Sequence, residues 1–146
     1  MELTDHQKRL QRVYASAPIM RYYNTSYLGF TEEGTKLTLQ VEGKYLVGEN
    51  TLHSSVSFRM LDDAAWFACA AAETEHFIET RSFNVEFVRP VTGGKITAVG
   101  TVTNKTDSSF EAKAELFDEN EQLVASGTCQ IARTDRPWAD VFGYSS

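Results

Sequence analysis

Asp62 is a carboxylate where the surrounding pattern is apolar. In a helix its neighbours at i−4, i+3, i+4 and i+7 are Phe58, Ala65, Trp66 and Cys69. A carboxylate facing such a stripe loses hydration and its pKa rises, the setting of a general base or nucleophile. The same spacing also fits a plain acid on a helix surface, and the pattern leaves both readings open. Asp63 lies about 100° further round the helix, with Arg59 at i−4, the spacing of an ordinary ion pair; it reads as structural. His53 stands at the start of the same helix and is followed by Ser54 and Ser55. Serines there cap helices. A helix start also presents unpaired N–H groups that can hold a carbonyl oxygen as it becomes an oxyanion. His53 and Asp62 are nine residues apart, roughly 13 Å of helix. One chain does not easily bring both to one reacting atom. Two antiparallel copies would place the helix start of one beside Asp62 of the other, so the spacing is compatible with a site shared across a twofold dimer.

Arg89 and Lys95 flank Pro90 and Gly93-Gly94 and suit either phosphate contact near a strand end or a solvated turn. Other chemistries lack their residues. No Gly-rich loop leads into a helix, and Ser54 and Ser55 lie outside any G-x-S-x-G context. Three histidines (His6, His53, His76), two cysteines and no C-x-x-C argue against a metal site and a disulfide scaffold. Cys69 and Cys129 sit in apolar segments as small hydrophobes and predict a reducing compartment, the cytoplasm.

These residues need a scaffold, and 146 residues with 42% hydrophobic and 12% aromatic content supply one domain with a full core. Fourteen Lys+Arg against twenty Asp+Glu leave a net charge of −6, which disfavours a general nucleic-acid binder. The charged start, Met1 to Leu10, is unlike a signal peptide. The longest apolar run, Ala64 to Ala72, is too short for a bilayer, which needs about 20 residues, so no membrane partner is expected.

Thr4 and Gln7 form a capping-box pattern that predicts a helix through Leu10, Val13, Tyr14 and Ala17, ended by Pro18. Tyr27 to Phe30 and the alternating Leu37, Leu39 and Val41 read as strands around a turn at Glu32 to Gly34. From Leu52 to Thr74 the period changes. Val56, Met60, Ala64 and Phe67 form one stripe, and Phe58, Ala65, Trp66 and Cys69 another, which predicts a helix buried on several sides. Four strands follow, centred on Phe83 to Phe87, Ile96 to Val102, Phe110 to Leu116 and Leu123 to Arg133, and short turns predict antiparallel neighbours. The fold class is α+β, a curved antiparallel sheet around a long central helix. It forms a single domain over 1–146, with an N-terminal helix in 1–18 and a tail over 134–146 that is either a packed flap or a partner-binding segment.

Taken together, the segments His53-Ser-Ser-Val-Ser-Phe-Arg-Met-Leu-Asp62, Asn84-Val-Glu-Phe-Val-Arg-Pro-Val91 and Leu123-Val-Ala-Ser-Gly127 resemble the hot dog fold acyl-CoA thioesterases of the phenylacetate-degradation type. The likeness runs from about Leu28 to Arg133. It implies a hot dog fold, a homodimer or homotetramer, and an active site between protomers. It implies that Asp62 activates water or attacks the thioester carbon, that the Ser55 backbone N–H polarises the carbonyl, and that His53 supports the site. Thr80 falls where some members place a hydroxyl that orients the water, and Arg89 would lie near coenzyme A, which enters only as part of the acyl-CoA substrate. Serine occupies both positions of the family's glycine pair. Val47 stands where an asparagine is frequent, with Asn50 the nearest substitute. Phe58 and Trp66 could line an acyl pocket, and Ser54 would border the bound ester. A non-catalytic acyl-CoA or lipid-like ligand binder is the second reading, and a hydratase or dehydratase acting on acyl thioesters the third.

Overall fold

A computed structural model describes residues 1–145. Thr4 and Gln7 close the expected capping box on α1 (Asp5–Ser16), and Pro18 starts a 3-10 turn over Pro18–Arg21. Strands β1 (Ser26–Phe30) and β2 (Thr35–Gln40) precede α2 (Ser54–Ala72). After it come β3 (His76–Phe87), β4 (Lys95–Lys105), β5 (Ser109–Phe117) and β6 (Leu123–Pro137). The six strands form one antiparallel sheet in the order β1-β2-β4-β5-β6-β3, with α2 packed against it, the architecture of a hot dog fold.

Two expectations about the strands need correction. Strands β3 and β4 are consecutive but unpaired; β3 lies at the far edge, beside β6 alone. Residues 88–94 are too many for a tight hairpin, and Pro90 offers no N–H to a ladder. Strand β6 also runs on to Pro137, past the expected end at Arg133, because its last residues pair with the start of β3. Beyond it the tail packs. Trp138 is buried, donates its indole N–H to the Glu73 carbonyl at 2.7 Å, and stacks on Tyr144.

The first stripe of α2, Val56, Met60, Ala64 and Phe67, is buried as expected. The second is covered only in part: Ala65 and Cys69 are buried, but Phe58 remains 39% exposed against the edge of Phe83. Helix and sheet approach closely at Gly100 of β4. A Cβ there would overlap the Ala64 carbonyl oxygen, which also accepts the Thr35 hydroxyl at 2.5 Å. Thr35 and Gly100 are register partners in the sheet. Gly100→Ala is therefore expected to lower stability by about 1–3 kcal/mol or more, since backbone must move to admit the methyl group. Urea denaturation of the two proteins measures the difference.

Candidate active site

Asp62 lies in the third turn of α2, and β3 returns antiparallel to β6 so that Thr80 meets it. The Thr80 hydroxyl donates to Asp62 Oδ1 at 3.0 Å. Beside Thr80 the β3–β6 register shifts, leaving Arg81 without a partner between Thr80 and Ser82. Such bulges re-aim neighbouring side chains. Asp62 is half-buried, as its helical neighbours predict. Burial pushes its pKa above the ordinary carboxylate value, and the Thr80 hydrogen bond pulls it partly back. Both residues line a cavity of about 360 Å3 whose apolar wall includes Trp66, Phe67, Phe77 and Ile78. Trp66 is held by its indole N–H on the Ile78 carbonyl at 3.1 Å. Trp66 thus lines this cavity, whereas Phe58 lies outside it.

Asp63 points to the structural partner the sequence suggests, with Arg59 Nε 3.0 Å from its Oδ2. Burial raises Asp63 to about 6, against the opposing pull of Arg59. Arg59 also donates to Tyr14 Oη at 2.6 Å and to Ser26 Oγ at 3.0 Å, and its guanidinium lies 4.3 Å from the centre of the Tyr23 ring.

At the start of α2 the cap is His53 and not a serine. Its Nδ1 accepts the backbone N–H of Ser55 at 3.0 Å, and the Ser54 and Ser55 hydroxyls make no cap bond. The N–H assigned by resemblance to a thioester carbonyl is thus engaged by the imidazole. His53 and Ser55 line a cavity of about 460 Å3 with Tyr22, Tyr23 and Tyr45. That cavity is distinct from the Asp62 cavity, as the helical spacing anticipates. Ser54 lies elsewhere, in a cleft of about 300 Å3 with Arg89 and Pro90. Arg89 donates to the Gln122 side-chain oxygen. Asn50 occupies a turn at φ 61°, with its N–H on the Val47 carbonyl, and borders none of these cavities.

The cysteine thiols are poor nucleophiles, since burial pushes Cys69 up to about 12 and Cys129 up to about 11. Among the described residues no group of three or more His, Cys, Asp or Glu is arranged to hold a metal, and no helix is long and apolar enough to cross a membrane. Sequence reasoning missed the part of the cavity wall formed by Tyr14, Ala17, Ile19 and Met20. The apolar Val13-Tyr14 face of α1 was its one visible signal.

Comparison with known proteins bears on the fold and the family. No curated protein sequence matches the chain. Among solved structures, the Escherichia coli PaaI protein of the phenylacetic acid degradation operon superposes with a TM-score of 0.80 at 19% identity, covering 92% of this chain and 99% of that one. A thioesterase from Haemophilus influenzae gives 0.77 at 18% identity, covering 92% of both chains. A mutant form of the phenylacetic acid degradation protein PaaI from Thermus thermophilus gives 0.72 at 18% identity, over 81% of this chain and 100% of its own. At these identities the likeness is one of fold. The family model of the thioesterase superfamily matches residues 49–125, more than half of the sequence, and spans the helix start, Asp62, Thr80, strands β3 to β5 and the start of β6. The chain belongs to the thioesterase superfamily, whose common chemistry is the hydrolysis of thioesters.

Proposed function

We propose that the protein hydrolyses acyl-CoA thioesters to free coenzyme A and a carboxylate, in a site completed by a second copy of the chain. The observation that carries this reading is the Asp62–Thr80 pair: a half-buried carboxylate with a raised pKa, held by one hydroxyl at the wall of an apolar cavity. Water beside Asp62 attacks the thioester carbon while the carboxylate takes its proton. The tetrahedral intermediate then expels the thiolate as the C–S bond breaks, and the thiolate is protonated. A carboxylate nucleophile reaches the same products through an anhydride that water cleaves. Ser55 of the other copy offers its N–H to the developing oxyanion once the His53 ring withdraws. Ser54 and Arg89, which share a cleft, face the coenzyme, with Asn50 nearby on the preceding turn. The reaction as written draws on no metal or redox cofactor.

Pairing of two copies is supported by β3, a 12-residue strand with one unpaired edge, and by the exposed Phe58 on α2. An edge of that length is a template for another strand. We take the assembly to be a homodimer or a homotetramer built from it, and its place to be the cytoplasm, where two free thiols persist. One observation favours a non-catalytic acyl-CoA binder as the alternative: the Ser55 N–H is already taken by His53. Thiol release from short, aromatic and long acyl-CoA esters decides between them. Release from any class supports hydrolysis, and tight binding without release transfers the assignment to the binder.

Thr80→Val tests the pair directly. The hydroxyl lowers the Asp62 pKa, so its loss raises that pKa further and moves the acid limb of the pH–rate profile to higher pH. A hydrogen bond to a charged group is worth about 1.5–3 kcal/mol, so kcat/KM at mildly acidic pH is expected to fall at least about tenfold.

A further inference from the structure

We propose that the N-terminal segment sets the length of acyl group the protein accepts, with Ala17 and Ile19 as specificity-determining residues. This rests on the reading of the Asp62 cavity as the acyl site. Residues 1–48 lie outside the superfamily match, yet five of the fourteen residues lining that cavity come from α1 and the turn after it. They line it together with Trp66 and Phe77.

This wall is fixed to the rest of the fold. Arg59 ties Tyr14 of α1 to Ser26 of β1 and to Asp63 of α2. Gln11 donates to the Leu28 carbonyl at 3.1 Å, and His6 Nε2 donates to the Ala70 carbonyl at 2.8 Å. A wall anchored at three points on α1 bounds one side of this open cavity.

Ile19 borders both the Asp62 cavity and the His53 cavity of about 460 Å3. It is the one residue that lines both. It is 52% exposed, so shortening it leaves the core intact. Ala17 sits at φ −61° and ψ 135°, a conformation any larger residue adopts without strain. Ile19→Ala joins the two spaces, and Ala17→Phe fills the first.

The experiment is a chain-length series of straight acyl-CoA esters, from acetyl to hexadecanoyl, with the wild type and both variants. Since one methylene in an apolar pocket is worth about 10- to 200-fold, Ile19→Ala is expected to raise the kcat/KM ratio of hexadecanoyl to hexanoyl ester at least about tenfold. Ala17→Phe is expected to shorten the longest ester turned over. Ratios within about twofold of the wild type in both variants would overturn the proposal. If the wild type releases no thiol, that failure belongs to the hydrolysis reading. The same series of S-alkyl-CoA thioethers, read as Kd by calorimetry, then tests the wall alone. A chain-length dependence that shifts in opposite directions in the two variants upholds it. An unshifted dependence, or no thioether binding at all, overturns it.

Discussion

Asp62→Asn is expected to reduce kcat/KM for acyl-CoA hydrolysis at least about a hundredfold, because a positioned general base contributes about 10²–10⁴ and an amide cannot take up the proton of water. The substitution preserves volume, and the amide oxygen still accepts from Thr80. The fold should be undamaged, and the sign of the pH dependence says why. Burial raises the Asp62 pKa in the folded protein above its unfolded value. The contribution of this group to stability is therefore complete below the unfolded carboxylate pKa and is lost as pH rises through the folded one. Asparagine removes that loss. Melting curves at pH 5 and pH 8 should find the variant no less stable than the wild type at pH 8, with a smaller change between the two. Thiol release measured on the same samples separates chemistry from folding. Wild-type turnover by a well-folded Asp62→Asn protein would remove Asp62 from the mechanism.

Arg59→Met is the substitution with the largest expected effect on stability. Methionine replaces the stem of the arginine but leaves Asp63 without its cation and Tyr14 without its donor. Removing one member of a buried pair costs about 3–5 kcal/mol. The deficit should be greater at pH 8 than at pH 5. Asp63 is already raised to about 6 by burial, and Arg59 opposes that rise, so its removal lifts Asp63 higher still. A raised carboxylate pKa means stability that is present at low pH and lost as pH rises through the folded value. Adding Asp63→Asn to the variant should restore part of the loss and flatten the pH dependence. Urea midpoints at the two pH values test both statements, and a single variant as stable as the wild type would show that the Arg59 cluster holds nothing together.

Much of this was legible before the fold. The Thr4–Gln7 box and the alternation of Leu37 and Leu39 are local signals, and local interactions produced the expected helix and strand. Asp62 could be picked out because helical neighbours are set by geometry alone. Thr80 came only from resemblance, since a strand residue eighteen positions away carries no local sign of what it faces. The pairing of β3 with β6 was hidden because strand order is decided by which apolar faces fit the helix. His53 as the cap was missed because serine is the commoner choice and the imidazole reaches the same N–H. Phe58 looked buried because periodicity identifies an apolar face but not what covers it.

The meeting of Gly100 with Ala64 also bears on where Asp62 sits. Ala64 is two residues beyond Asp62, and it touches the sheet through main-chain atoms, with Thr35 bonded to the same carbonyl. Side chains in contact hop between rotamers, whereas two backbones in contact have no such slack. The turn of helix that carries the carboxylate is thereby indexed to the middle of the sheet, as a bearing is seated in its housing. On the proposed reading of Asp62 as the base, its position along the sheet is set by main-chain contact, whereas the cavity wall is built largely from side chains of α1, β3 and the turn after α1.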